Sequence, residues 1–449
     1  MKSNLDRLPK EPSDRFTHPF SQFLRIESAA GAVLLLCAVA ALVFSNSQWS
    51  GPYMAFWDTA TGFRWGNAEF SRSIKQWIID GAMTLFFFVI ALELKREIVL
   101  GELRNIRLAA FSIAAALGGM AVPAVLFALL EGNSAARHAW GVVMATDTAF
   151  VIGCLALLGS RIPPSLRLFL LSLAIFDDIG AILVIAIAYG SGINWLALGL
   201  AAFALFGIAM MRRVGIRHIA VYAVAGMAVW LALDVSGIHP TLAGMLLGVM
   251  TPARSWVNDG RLRAILGKVV SYPHGEHWSG DTEERRDLRR AGTAAREALS
   301  PLERIEISLH PWVAFAVLPL FALASAGLPL SHAEMDWRLV AAIVVGLFVG
   351  KPIGVVSFSY LAIRAHFAIR PETLSWPLIV GGALLTGIGF TMSLLIAELA
   401  LAEDSMVSAK LGILCASALS SICGLAVLTW LSAKRQRLPD SETSRKVMR

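Results

Sequence analysis

Along nearly the whole chain, apolar runs of about twenty residues alternate with short polar stretches, and a run of ~20 apolar residues is what a helix needs to cross a bilayer. The runs fall near residues 28–46, 76–99, 107–130, 138–159, 166–189, 195–211, 217–234, 238–252, 310–327, 339–362, 376–398 and 407–432. This pattern predicts an all-α polytopic membrane protein of about twelve transmembrane helices. Two polar stretches are long. Residues 47–75 are aromatic and contain Gly, which suits an extracytoplasmic hairpin able to contact a second copy of the chain. Residues 253–305 carry mixed charge and predict a mobile or helical cytoplasmic segment. The chain thus divides into a lead-in (1–27), a membrane domain (28–433) and a basic tail (434–449).

Composition narrows the class. With 56% hydrophobic and 16% charged residues among 449, the sequence exceeds the apolar content of soluble domains. Its net charge of +7 does not call for a nucleic-acid partner. The basic residues sit in alternate loops: Lys2, Lys10, Arg15 and Arg25, then Arg104 and Arg107, Arg161 and Arg167, and Arg212, Arg213 and Arg217. They continue in the arginines of 254–304, Arg364 and Arg370, and the tail. The opposite loops are poor in Lys and Arg except for 47–75. By the positive-inside rule this places both termini in the cytoplasm. The first 27 residues are too charged for a cleaved signal. Cys37, Cys154, Cys415 and Cys423 lie in apolar runs without metal-ligand spacing and are expected to pack as free thiols. His274, Glu276 and His277 lack further convergent ligands and read as a solvated loop.

Against this apolar background the charges inside the runs carry the chemistry. Asp147 lies near the middle of 138–159, and the adjacent pair Asp177 and Asp178 near the middle of 166–189. An ionisable group at that depth costs roughly 2.5–3.5 kcal/mol or more and marks an ion or proton pathway. The two aspartates project about 100° apart on a helix and repel one another. Such a pair can hold protons and release them to a small hard cation, for which carboxylate and hydroxyl oxygens are the preferred ligands; Thr146 adds a hydroxyl. Lys351 is the buried base of 339–362, with Asp177 its expected partner and the negative ends of broken half-helices the second possibility.

Two runs are interrupted near their centres, one at Ala145–Thr148 and one at Thr386, Gly387 and Gly389. Broken backbone at membrane depth is tolerated where it lines an enclosed cavity, so these breaks predict two discontinuous helices crossing at mid-membrane. Asp147 would offset the positive half-helix ends there. Residues 107–189 and 339–432 both read long helix, interrupted helix, long helix, an inverted-repeat pattern. At the end of 76–99, Glu93 and Glu97 share a helix face and Arg96 stands at i+3 from Glu93, within pairing reach. With Glu306 they outline a charged cytoplasmic funnel.

At these residues the sequence resembles the NhaA family of bacterial sodium/proton antiporters, which is itself a worked case of the inverted-repeat architecture. The matching strings are LELKRE (92–97), ATDTAFVIGCLALLGSR (145–161), LAIFDDIGAI (173–182), SGIHPTLAG (236–244), HPWVAFAVLPLFALASAG (310–327), GKPIG (350–354) and GIGFTMS (387–393). The resemblance implies that Asp177 and Asp178 carry the ions, with Thr146 at the site. It implies that Asp147 and Lys351 balance the helix-end charges. Glu93, Arg96, Glu97, Glu306 and His239 would belong to a pH-response region, and 47–75 to a homodimer contact. Two departures stand out: the long 253–305 segment, and Ile307 where some members have histidine.

The expected function is export of Na+ (or Li+) in exchange for H+ across the bacterial inner membrane, serving pH and sodium homeostasis. It is expected to be electrogenic, active at alkaline pH, and to need no cofactor beyond the transported ions. The other classes weighed are an intramembrane aspartyl protease, whose two acids must share a water, and a cation channel, which would move charge without proton coupling.

Overall fold

The structure is a computed structural model that describes residues 27–65, 68–99, 101, 106–132, 135–190, 192–214, 219–255, 257–271, 283–329, 335–371 and 373–436. The lead-in before Glu27, the residues His274, Glu276 and His277, and the tail beyond 436 lie outside them.

Helix dominates, as expected for a chain whose backbone must satisfy itself in lipid. In order come α1 (Glu27–Ser45), α2 (Ser50–Asp58), strands β1 (Ala60–Trp65) and β2 (Ala68–Ser73), α3 (Ile74–Val99) and α4 (Ile106–Glu131). A 3-10 segment (Ala135–Val143) precedes α5 (Thr148–Leu158), followed by α6 (Pro164–Ala188), α7 (Trp195–Val214), α8 (Ile219–Val235) and α9 (Thr241–Met250). The remainder are α10 (Asp259–Val270), α11 (Glu283–Ala298), α12 (Pro301–Ser325), α13 (Trp337–Arg364), α14 (Trp376–Thr386), α15 (Phe390–Ala400) and α16 (Glu403–Gln436).

Every apolar run forms helix, but their lengths differ from the even set the pattern predicts. Among the described residues, eight helices are long and apolar enough to cross a membrane, or ten if each bent pair (α1–α2 and α14–α15) is one span. α8 and α9 are shorter. At 1.5 Å per residue, α9 reaches only about half of a ~30 Å hydrocarbon core. The run placed at 310–327 begins earlier, at Pro301. The 47–75 stretch holds both α2 and an antiparallel hairpin pairing Ala60 with Ser73 and Trp65 with Ala68. Residues 253–305 contain the two helices α10 and α11.

The chain forms two compact units. The first comprises Met1–Met83, Asn105–Ser191 and Pro311–Arg449, and so contains both halves of the sequence repeat. Within it α4 packs antiparallel to its counterpart α13. A Cβ on Gly118 would sit 2.2 Å from the Gly354 carbonyl, and Gly350 lies against Pro123. Only side-chain-free residues allow backbones this close. α13 widens to a π-helical turn over Val345–Gly350, just before Pro352. Proline has no N–H to donate to the carbonyl four residues back, and the wider turn accommodates that loss. Lys351 is fixed at this junction. The second unit comprises Thr84–Arg104 and Gly192–His310. In it α9 runs parallel to α3, Gly244 meeting the Thr84 carbonyl and Gly248 meeting Ala91.

Candidate functional site

The breaks in the two interrupted helices lie against each other in the first unit. Helix geometry is lost between the 3-10 segment and α5, and again between α14 and α15. The freed backbone groups are satisfied across the crossing, as burial requires. The Asp147 N–H donates to the Ile388 carbonyl at 2.7 Å. Ser393 Oγ donates to the Val142 carbonyl at 2.7 Å, while the Phe390 N–H is met from α16, by Ser417 Oγ at 3.2 Å. The glycines of GIG are required by space: a Cβ on Gly387 would lie 2.4 Å from Ser420 Oγ and 2.5 Å from the Leu347 carbonyl. On Gly389 it would lie 2.1 Å from Ser393 Oγ.

Asp147 holds two helix starts at once. Its Oδ1 accepts from the Phe150 N–H at 3.0 Å, capping α5. Its Oδ2 accepts from the Thr391 N–H at 3.0 Å and the Thr391 hydroxyl at 2.6 Å, in the first turn of α15. A carboxylate on N-terminal amides is the favourable arrangement for a helix dipole. With both oxygens committed in this way, Asp147 is not arranged to share a water with Asp178 as an aspartyl protease requires.

Asp177 and Asp178 are buried on α6, at 0% and 1% exposure. Asp177 Oδ2 accepts from Thr146 Oγ1 at 2.6 Å and from Lys351 Nζ at 3.0 Å. Lys351 also donates to the Thr146 hydroxyl, whose own proton is shared between Asp177 and the Thr386 carbonyl at the end of α14 (3.1 Å). Lys351 is thus paired with Asp177 and reaches the negative end of α14 only through Thr146. Asp178 Oδ2 accepts from Thr148 Oγ1 at 3.1 Å. The second oxygen of each acid, Oδ1, is buried and has no hydrogen-bond partner among the described residues. An unsatisfied buried carboxylate oxygen is costly, so each is a place where a proton or a cation is stabilising. Among the described residues no three His, Cys, Asp or Glu converge as a resident metal site would need. The oxygen set of two carboxylates and two threonine hydroxyls suits a hard, weakly held cation.

Thr148 and Thr391 were not singled out from sequence, although both stand in the motif strings ATDT and GIGFT. Their signal is a hydroxyl next to an intramembrane acid or a helix break.

In the second unit the charges around Glu93 are arranged differently from the expected i,i+3 pair. Arg96 pairs with Glu306 across to α12, and lies 3.7 Å from Glu97. Glu93 lies 3.7 Å from His310 Nε2. Glu306 is buried while Arg96 and His310 remain partly exposed. Tertiary partners displace the local pair because α12 presents Glu306 and His310 on one stripe, four residues apart. His239 is elsewhere. Its Nδ1 lies 2.7 Å from Thr241 Oγ1 in the turn that starts α9. Because α9 runs parallel to α3, His239 lies ahead of the Gly244–Thr84 contact, whereas Glu93–Glu97 follow Ala91.

Comparison with known proteins gives the same direction. A family profile described as Na+/H+ antiporter 1 matches residues 21–428. The chain is 57% identical over 437 residues to a Na(+)/H(+) antiporter NhaA of Rhizobium meliloti (strain 1021), covering 97% of this chain and 100% of the relative. It is 54% identical to Na(+)/H(+) antiporter NhaA 1 of Acidiphilium cryptum (strain JF-5), with 97% of each covered. It is 48% identical to Na(+)/H(+) antiporter NhaA 2 of Vibrio vulnificus (strain CMCP6), again with 97% of each covered.

Proposed function

Because the chain belongs to the Na+/H+ antiporter 1 family, we propose that Asp177 and Asp178 are the groups on which Na+ and H+ take turns. As a member of that family the protein is a multi-pass sodium/proton antiporter, a secondary transporter and not an enzyme. The supporting observation is the pair of partnerless Oδ1 atoms on adjacent buried acids. A cation fits such oxygens only when they are deprotonated, so the two cargoes exclude each other and their fluxes are coupled.

Within this reading Thr146 and Thr148 complete the oxygen set for Na+ or Li+. Asp147 holds the crossing helix ends in place, and Lys351 balances Asp177 when the site is empty. Exchange of two protons per cation moves one net charge, worth ~2.3 kcal/mol per 100 mV, so the membrane potential helps expel sodium. Proton competition makes the transporter most active at alkaline pH, which suits pH and sodium homeostasis. Glu93, Arg96, Glu97 and Glu306 form a cytoplasmic charge cluster that responds to pH, with His239 acting from the other end of α9. The chain resides in the bacterial inner membrane with both termini cytoplasmic, and the 47–75 hairpin makes a homodimer contact.

The test is sodium-driven proton movement in proteoliposomes. Asp178→Asn abolishes it on this reading, and retained exchange overturns the assignment. In the unaltered protein, one unit of acidification raises the apparent KM for Na+ about tenfold for each competing proton. A KM independent of pH overturns the shared site.

A further inference from the structure

Far from the crossing, at the other end of α15, a second group of buried charges has no place in the ion cycle described above. Glu398 stands in the last turns of α15 and forms ion pairs with two lysines on different elements. Lys75, at the start of α3 just after the hairpin, places Nζ 2.7 Å from its carboxylate oxygens. Lys410, in the early turns of α16, lies 3.4 Å from Glu398 Oε1 and donates to the Gly327 carbonyl at 3.2 Å. The Glu398 and Lys410 side chains are largely buried, at 10% and 7% exposure. All four residues belong to the first unit.

Three features explain why this cluster matters to the site. α15 is cut from α14 by Gly387-Ile388-Gly389, so α14 does not dictate where it lies. Its own last turn carries no basic residue. Lys75 and Lys410 therefore supply from outside both the countercharge of Glu398 and the positive charge that favours a helix C-terminus, which accounts for two cations on one carboxylate. Finally, Glu398 and Thr391 are seven residues apart, two turns or about 10 Å along one face of a rigid helix. A shift at the far end is carried to the Thr391–Asp147 hydrogen bonds, and from Asp147 to the adjoining Thr146.

We propose that Glu398, clamped by Lys75 and Lys410, is a positioning residue for cation binding: it fixes the outer half of the broken helix and so holds Thr391 on Asp147. This rests on the reading of the acids as the ion site. Asp178→Asn separates the two, since its retained exchange removes that reading whatever Glu398 does.

The experiment measures Na+ KM and maximal exchange rate in proteoliposomes, with thermal unfolding in detergent as a control. Glu398→Gln raises the Na+ KM about fivefold while the maximal rate changes less than about twofold, as expected when geometry at a binding site is loosened. Thr391→Val raises KM in the same direction, and the double variant is no worse than the stronger single one, because both act through one contact. An unchanged KM in Glu398→Gln, or effects that add with Thr391→Val, each overturn the proposal. If Glu398→Gln does not fold, Lys75→Gln carries the test. It removes one of two partners and raises KM about twofold, and no rise overturns the clamp.

Discussion

The crossing site and the Glu93–Glu306 cluster hold similar numbers of charged groups but neutralise them by different means. At the crossing, Asp147 is held by helix N-terminal amides and Thr391, and Asp178 by the Thr148 hydroxyl. Of the acids there, only Asp177 forms an ion pair, and the Lys351–Asp177 pair is fully buried. In the second unit charge meets charge: Arg96 with Glu306 and Glu97, His310 with Glu93, on side chains exposed by as much as 49%. Fixed dipoles in a water-poor interior leave carboxylate oxygens free for cargo. Mutual ion pairs near solvent commit most of the charge to a partner, Glu306 Oε2 alone among them being buried without a hydrogen-bond partner among the described residues, and they respond to salt and protonation. On the proposed reading, the difference separates binding an ion from sensing the medium.

That comparison is tested most severely at Lys351. Removing one partner of a buried pair leaves an uncompensated charge and costs about 3–5 kcal/mol. Lys351→Ala should therefore lower the melting temperature much more than Lys351→Arg, which keeps the charge beside Asp177. Equal shifts would show that the interior charge is not held as a pair. Gly354→Ala comes next. Its methyl group would meet the Gly118 carbonyl at 2.0 Å, and overpacking of this kind costs about 1–3 kcal/mol. Loss of stability without loss of Na+ affinity in the folded fraction would confine this crossing to a scaffold role.

Thr148→Val is smaller and more diagnostic. It removes the hydroxyl on Asp178 with little change of volume, a loss of about 1 kcal/mol, and should raise the Na+ KM about fivefold. A fall in stability with KM unchanged would make Thr148 a structural partner of Asp178, not a ligand.

Much of this architecture could be read before any coordinates. Asp147, Asp177, Asp178 and Lys351 are conspicuous because intramembrane charge is expensive, and the breaks at ATDT and GIGFT because glycine and polar residues interrupt apolar helix. Thr391 and Thr148 were less visible: a threonine in an apolar run is ordinary, and only the fold brings Thr391 onto Asp147 across 244 residues. Arg96 was assigned to Glu93 because helical spacing was the only geometry the sequence offers, whereas α12 supplies Glu306 from 210 residues away. The clamp on Glu398 escaped for the same reason, its lysines lying in stretches read as loop and helix start. The apolar run at 238–252 forms the shorter helix α9, which begins at Thr241, after Pro240.

The smallest expected effect lies at Glu93. Its partner His310 is half-exposed and the separation is 3.7 Å, and exposed pairs of this kind contribute about 0–1 kcal/mol. Glu93→Gln should leave the melting temperature within about 2 °C of the parent. It should also leave the Na+ KM at alkaline pH unchanged, because no oxygen of the cargo site is altered. What it should change is the dependence of exchange on pH and salt. Losing Glu93 removes a countercharge from a partly exposed cluster, so the activity profile moves, and raising ionic strength from 0.1 M to about 0.5 M should shrink that displacement by screening. If Glu93→Gln raises the Na+ KM as much as Thr148→Val does, the two regions are not divided into binding and sensing, and the contrast between them fails.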